Sequence, residues 1–151
     1  MFEYWKNSRK LLGMNARNLD FVRPFNRRRG MKIADQKLLC KRILTRSKLP
    51  VSALIGKIRS REELENFDWT TLPASFALKP NRGFGGEGIL VVYARKKNRP
   101  DAWIKANGGI VTIEDLKTHI QNILDGSFSL SNTPDIAFFD AVRAQLGKIE
   151  G

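Results

Sequence analysis

The chain has 151 residues, of which 42% are hydrophobic and 28% charged; it is long enough to bury the core of one ordinary domain and too apolar to be wholly disordered. No run of about 18 apolar residues exists, so a membrane-spanning helix is excluded, and a single cysteine, Cys40, excludes an internal disulfide framework and any multi-cysteine zinc site. Charges break every apolar stretch of the opening MFEYWKNSRKLLG, which therefore does not read as a secretory leader, and a cytoplasmic location is expected. The formal charge is +12, and it is uneven: residues 1–50 hold fourteen basic and three acidic side chains, the remainder thirteen and twelve. Such a field draws phosphates, RNA, anionic lipid or acidic peptides.

Residues 1–33 are expected to be a basic leading segment, with a short helix from about Trp5 to Leu12 and extended or turn-rich chain around Pro24 and Gly30. The second segment runs over 34–151. Asp35 offers an N-cap to a helix whose apolar stripe is Leu39, Cys40, Ile43 and Leu44; Lys37, Lys41 and Lys48 fall outside that stripe, and Pro50 closes the helix. Residues 51–56 read as a strand. Ser60 and Glu63 have capping-box spacing and open a short helix through Leu64 and Phe67. Residues 75–79 read as a strand, and Ile89–Tyr93, five β-favouring residues in a row, as another. Residues 94–102 read as a charged loop and 107–109 as a turn. Thr112 and Asp115 cap a helix with the stripe Ile113, Leu116, Ile120, Ile123 and Leu124, ended by Gly126; Ile136–Phe139 reads as a last strand. Internal repeats and low-complexity tracts are absent from the sequence.

The strongest chemical feature lies between two of these strands. Gly83-Phe-Gly-Gly-Glu-Gly88 places four glycines in six residues, so the backbone can approach a ligand closely and aim several N–H groups at a phosphate. A phosphate loop of the Gly-Lys-Ser/Thr kind, or a dinucleotide fingerprint, runs into a helix; this one runs into a strand, which leaves a strand–glycine loop–strand flap. Lys79 stands where the first strand enters the loop, within reach of a phosphate beneath it. The bland alternative is a plain hairpin with a glycine-rich turn.

Three stretches then occur in one order: Ala34-Asp-Gln-Lys-Leu-Leu-Cys-Lys41, Leu49-Pro-Val51, and Phe76-Ala-Leu-Lys-Pro-Asn-Arg-Gly-Phe-Gly-Gly-Glu-Gly-Ile-Leu-Val-Val92. Together they resemble the ATP-grasp superfamily, and within it the alpha-L-glutamate ligase-related, RimK-like group. Asn15-Ala-Arg-Asn18 and Asn26-Arg-Arg-Arg29 resemble that group's N-terminal signature, and residues 119–130 its segment before the nucleotide hinge. The resemblance implies an α/β fold, here an incomplete ATP-grasp fold with a phosphate flap and flanking helices. It implies that Lys37 and Lys79 are phosphate lysines and that Gly83, Gly85, Gly86 and Gly88 form the closing flap. It also implies that Phe139 and Asp140 belong to the hinge whose backbone reads adenine. Asn15, Arg17, Asn18 and Arg28 are candidates for holding an anionic substrate. The implied cofactors are ATP and Mg²⁺, with the metal ligands expected outside this chain, since the family carries them in a later subdomain and Glu150 is the only carboxylate side chain after Asp140.

The implied chemistry is phosphorylation of a carboxylate by ATP and attack of an amine on the acylphosphate, with an acidic amino acid or peptide as substrate. On this reading the chain is the N-terminal part of such a ligase, inactive alone, and its partner is a missing C-terminal half or a second copy. Apolar stripes left uncovered are then expected. The rival class is a small basic nucleic-acid-binding protein, supported by the charge of residues 1–50. Against it, Trp5, Trp69 and Trp103 are scattered and form no stacking platform. Lone His119 reads as structural, Cys40 as a small core residue, and Glu62-Glu63 as a helix start.

Overall fold

The computed structural model describes residues 11–83, 85–129 and 132–142. The chain divides into two compact units, one reaching to Gln36 and the other beginning at Lys37.

The first unit is helical where turns were expected. A helical run extends from Met14 to Phe25, with a π-helical stretch over Arg17–Val22, and helix α1 follows over Arg28–Asp35. Pro24 does not break the run. It stands beside the start of the short turn Arg23–Phe25, where its missing N–H costs least. The expected helix from Trp5 lies largely outside the described residues; Leu11 and Leu12 are not helical. None of the helical residues of this unit is buried, and Leu11, Met14, Leu19, Phe21 and Phe25 all stand more than half exposed. Asp35 ends α1 instead of capping the next helix.

In the second unit, α2 (Lys37–Arg46) begins directly after Gln36. Its N-terminal N–H groups are taken by Asn81: Lys37 N–H donates to the Asn81 carbonyl at 3.0 Å and Leu38 N–H to Asn81 Oδ1 at 2.9 Å. The cap therefore comes from the far side of the fold and not from the preceding residue. The helix stops at Arg46, before Pro50, with Lys48 in the left-handed region at φ 59°.

The strands are β1 (Leu54–Ile58), β2 (Phe76–Pro80), β3 (Leu90–Lys96), β4 (Arg99–Lys105), β5 (Ile110–Thr112) and β6 (Ala137–Ala141). They form one sheet in the order β1-β6-β2-β3-β4-β5, every neighbouring pair antiparallel. Helices α3 (Arg61–Glu65) and α4 (Ile113–Leu124) complete a mixed α/β fold. The stretch read as a charged loop is a β-hairpin. Its turn places Asn98 at φ 65°, and the register jumps beside Arg95 and Lys96, so Pro100 is accommodated in an irregular ladder. Arg95 lies over the Trp103 ring at 4.8 Å and donates to the carbonyls of Leu72 and Pro100, which explains how charged residues serve a strand here.

The two central strands carry opposite environments on their two faces. Phe76, Leu78, Ala137 and Phe139 point into the core with Val92, Trp103 and Val111, against Leu116, Ile120, Ile123 and Leu124 of α4. Phe139 stacks on Phe67 at 5.3 Å and meets Phe76 edge-on at 5.3 Å. The α4 stripe is thus covered, whereas none of the α2 stripe is buried; the widely exposed apolar side chains are mostly those of the first unit. Thr112 and Asp115 form a full capping box for α4. Ser60 accepts from Glu63 N–H, but the Glu63 carboxylate takes Arg59 N–H, so only half of that box forms. Among the described residues no helix is long and apolar enough to cross a membrane.

Candidate anion site on the open face of the sheet

Strand alternation puts Ala77 and Lys79 of β2, and Phe138 and Asp140 of β6, on the face opposite the core. Ala77 pairs with Asp140 and Lys79 with Phe138, so Lys79 and Asp140 are diagonal neighbours. Lys79 Nζ lies 3.1 Å from Asp140 Oδ2. Lys41, one turn along α2 from Lys37, places its Nζ 2.9 Å from Asp140 Oδ1. The Asp140 side chain is only 4% exposed, Lys41 14% and Lys79 28%. Ser52 links the group: its hydroxyl donates to Asp140 Oδ2 at 3.1 Å and accepts from Lys41 Nζ at 2.9 Å, while its carbonyl accepts a further Lys41 bond.

Lys37 reaches the loop itself. Its Nζ donates to the Gly83 carbonyl at 3.0 Å. Burial holds the Lys37 ammonium below the ordinary lysine value; Asp135 opposes that shift and Lys79 adds to it. The Lys79 charge is thus felt at Lys37, as a smaller effect than burial. The loop entrance is pinned as well: Arg82 N–H donates to Asp135 Oδ2 at 2.6 Å, and Asn81 N–H to the Ile136 carbonyl at 2.9 Å.

The glycine loop is tight at its ends and open at its tip. A Cβ at Gly83 would stand 2.4 Å from Pro80 Cγ, and one at Gly88 (φ +72°) would stand 2.6 Å from Phe128 Cγ. A Cβ at Gly85 or Gly86 would meet nothing within 4 Å. His119 fastens the exit: its Nε2 lies 2.8 Å from the Gly88 carbonyl and its ring packs on Phe128 at 5.2 Å. A carbonyl only accepts, so the proton belongs on Nε2. Gly88→Ala is expected to cost about 1–3 kcal/mol, from the left-handed backbone and the Phe128 contact together. Gly85→Ala, with open space, should cost about 1 kcal/mol from backbone alone. Urea unfolding of both variants checks this; equal losses would contradict the Phe128 contact.

The structure thus brings Lys37 to the Gly83 end of the loop, joins Lys79 to Asp140, Lys41 and Ser52, and holds the Gly88 end with His119 and Phe128. Phe139 joins none of these groups. Its side chain is core, and its backbone lies in a central strand between Gly56 of β1 and Leu78 of β2, with no free edge for adenine. Ala141 still pairs with Phe76 and donates to the Ala53 carbonyl at 2.9 Å. Asn15, Arg17, Asn18 and Arg28 lie in the first unit, exposed on helical turns. Sequence reasoning passed over Lys41, Ser52, Asn81 and Asp135. The i, i+4 spacing of Lys37 and Lys41, which shares one helix face, was the available signal for Lys41.

A magnesium site does not fit the side chains seen here. Among the described residues no group of three His, Cys, Asp or Glu side chains could hold a metal ion. Of the two buried carboxylates, Asp140 is ion-paired to two ammonium groups, though its Oδ1 accepts no hydrogen bond, and Asp135 accepts from a backbone N–H.

Comparison with known families gives this network a setting. Residues 16–146 match the family described as sugar-transfer associated ATP-grasp, and the chain belongs to that family. The glycine loop between two strands is accordingly part of an ATP-grasp domain of the ATP-binding, ligase type. No curated protein and no solved structure matches the chain.

Proposed function

We propose that residues 34–151 form the polyphosphate-binding part of an ATP-dependent carboxylate–amine ligase, of the glutamate-ligase, RimK-like kind named above. The observation that supports the reading is that Lys37 donates to the Gly83 carbonyl at the start of the glycine loop, while Lys79, on the strand that leads into the loop, is held on Asp140. Lys37 and Lys79 are phosphate ligands on this reading, and the loop tip at Gly85 and Gly86 closes over the phosphates. Transfer of the γ-phosphoryl group to a substrate carboxylate gives an acylphosphate, and an amine displaces phosphate to form an amide. The lysines contribute positive charge where the transferring group becomes more negative.

An acidic amino acid or peptide is the proposed substrate, with Asn15, Arg17, Asn18 and Arg28 as candidates to hold it. The family's association with sugar transfer supports an acceptor borne on a sugar as a further arm of the substrate test. Magnesium is assigned to residues beyond those described, and a cytoplasmic setting, where ATP is available, goes with this reading. The module is proposed to need further protein, a C-terminal half or a second copy, for turnover.

Calorimetric titration with ATP, with and without Mg²⁺, tests the reading against Lys79→Ala. Saturable binding that weakens about tenfold or more in the variant is expected, since a charge-assisted bond to phosphate contributes about 1.5–3 kcal/mol. Absence of binding by the folded protein would overturn it. Charge reversal at Arg27, Arg28 and Arg29 is expected to leave ATP binding intact. If it instead removes binding of RNA or DNA that Lys79→Ala spares, the nucleic-acid reading prevails.

A further inference from the structure

Lys41 is the residue that neither the resemblance nor the composition singles out. It is the more buried of the two lysines on Asp140, and its ammonium is occupied by that carboxylate and by Ser52. It is therefore poorly placed to hold a ligand itself. Its effect on a ligand has to pass through Asp140.

The charge count shows how. Lys41, Asp140 and Lys79 together carry one net positive charge. With Lys41 on Oδ1, Asp140 is already compensated, and Lys79 on Oδ2 is the surplus cation. Without Lys41, a carboxylate sealed from water has Lys79 as its sole cation, and the pair becomes neutral. A polyphosphate then meets a satisfied ion pair instead of a free ammonium.

We propose that Lys41 is a positioning residue that keeps Lys79 available to phosphate by neutralising Asp140. The proposal rests on the reading of Lys79 as a phosphate ligand and identifies what regulates its strength. It also explains why a carboxylate sits beside a lysine meant for an anion: Asp140 fixes the ammonium in place, and Lys41 cancels the charge that would hold it there.

The test is a double-variant cycle read by affinity for inorganic tripolyphosphate, with EDTA present so that no metal contributes and adenosine as the control ligand. Lys41→Met should weaken tripolyphosphate about tenfold and leave adenosine unchanged. Lys41→Arg, which keeps the charge, should stay within about threefold of the parent. Adding Asp140→Asn to Lys41→Met restores one net charge and should bring affinity back to within about threefold of the parent. That double variant has no buried unpaired charge, so it decides the matter even if Lys41→Met fails to fold. A merely structural Lys41 predicts instead that the unfolding midpoint falls and recovers in step with affinity, which urea unfolding beside each titration reads. Parent-like binding by folded Lys41→Met, or a tenfold deficit persisting in the double variant, would overturn the proposal. Failure of the phosphate reading looks different: Lys79→Met would then leave tripolyphosphate binding unchanged, whatever the Lys41 variants do.

Discussion

The double variant Lys37→Met/Lys79→Met should lose affinity for ATP by about a hundredfold or more, while its unfolding midpoint moves little. Each lysine contributes on the order of 1.5–3 kcal/mol if it makes a charge-assisted bond to phosphate, and about 1.4 kcal/mol is a factor of ten. Both side chains retain solvent access at the open face, and neither lies in the apolar core. Titration with ATP and tripolyphosphate, beside an unfolding curve, separates loss of binding from loss of fold. A double variant that still binds within threefold of the parent would remove the lysine pair from the site.

Lys37 sets a pH dependence with a definite sign. Burial lowers Lys37 below the ordinary value of 10.5, so in the window between its lowered value and 10.5 the unfolded chain binds more protons than the folded one. For this group, stability rises with pH across that window, and the cost of a buried ammonium is fully present below it. Binding runs the opposite way. A polyphosphate favours the charged lysine, so affinity should fall as pH rises through the window, with proton uptake on binding there. The enthalpy of ATP binding measured in buffers of different ionisation heat reads that uptake. Lys37→Met should abolish it.

Phe139→Ala is expected to cost about 3–5 kcal/mol, the largest stability loss of any single change considered. The ring is fully buried, stacks on Phe67, and stands against Phe76 within the layer that α4 covers. A protein of this size has only about 5–15 kcal/mol of stability in total. Urea unfolding should therefore show a midpoint shifted far down. A loss below about 1 kcal/mol would mean that the ring is not the packing centre described here.

Much of the sheet was readable because its central strands are plain. Residues 76–80 and 137–141 carry β-favouring apolar residues between Pro and Gly signals, and both form strands. Helix α4 was equally clear, since cap, stripe and terminal glycine agree. The β3–β4 hairpin was hidden because Arg95 gains from Trp103 and two carbonyls, which no local pattern encodes. The start of α2 was hidden because its cap is Asn81, more than forty residues away in sequence. At the site, Lys37, Lys79 and the glycines were accessible through motif order. Phe139 and Asp140 were read as one hinge, but strand alternation sends their side chains to opposite faces. Lys41 was placed only outside the apolar stripe, because its partners, Ser52 and Asp140, are joined to it by the tertiary fold.

That alternation divides labour within ten residues. The inward side chains of β2 and β6 build the main core, while on the other face of the same strands the charged Lys79 and Asp140 stand beside the buried apolar Ala77 and Phe138. Helix α2, which supplies Lys37 and Lys41, has no buried residue of its own and is tied down at Asn81 and Asp140. Away from Lys41 and the buried Asp140, the exposed positions of α2 can therefore diversify at little structural risk. Substitutions along α2 can retune the recognised anion while the packed face, and with it the capacity to fold, stays as it is. A lineage of such domains could explore new acidic substrates without first acquiring spare stability.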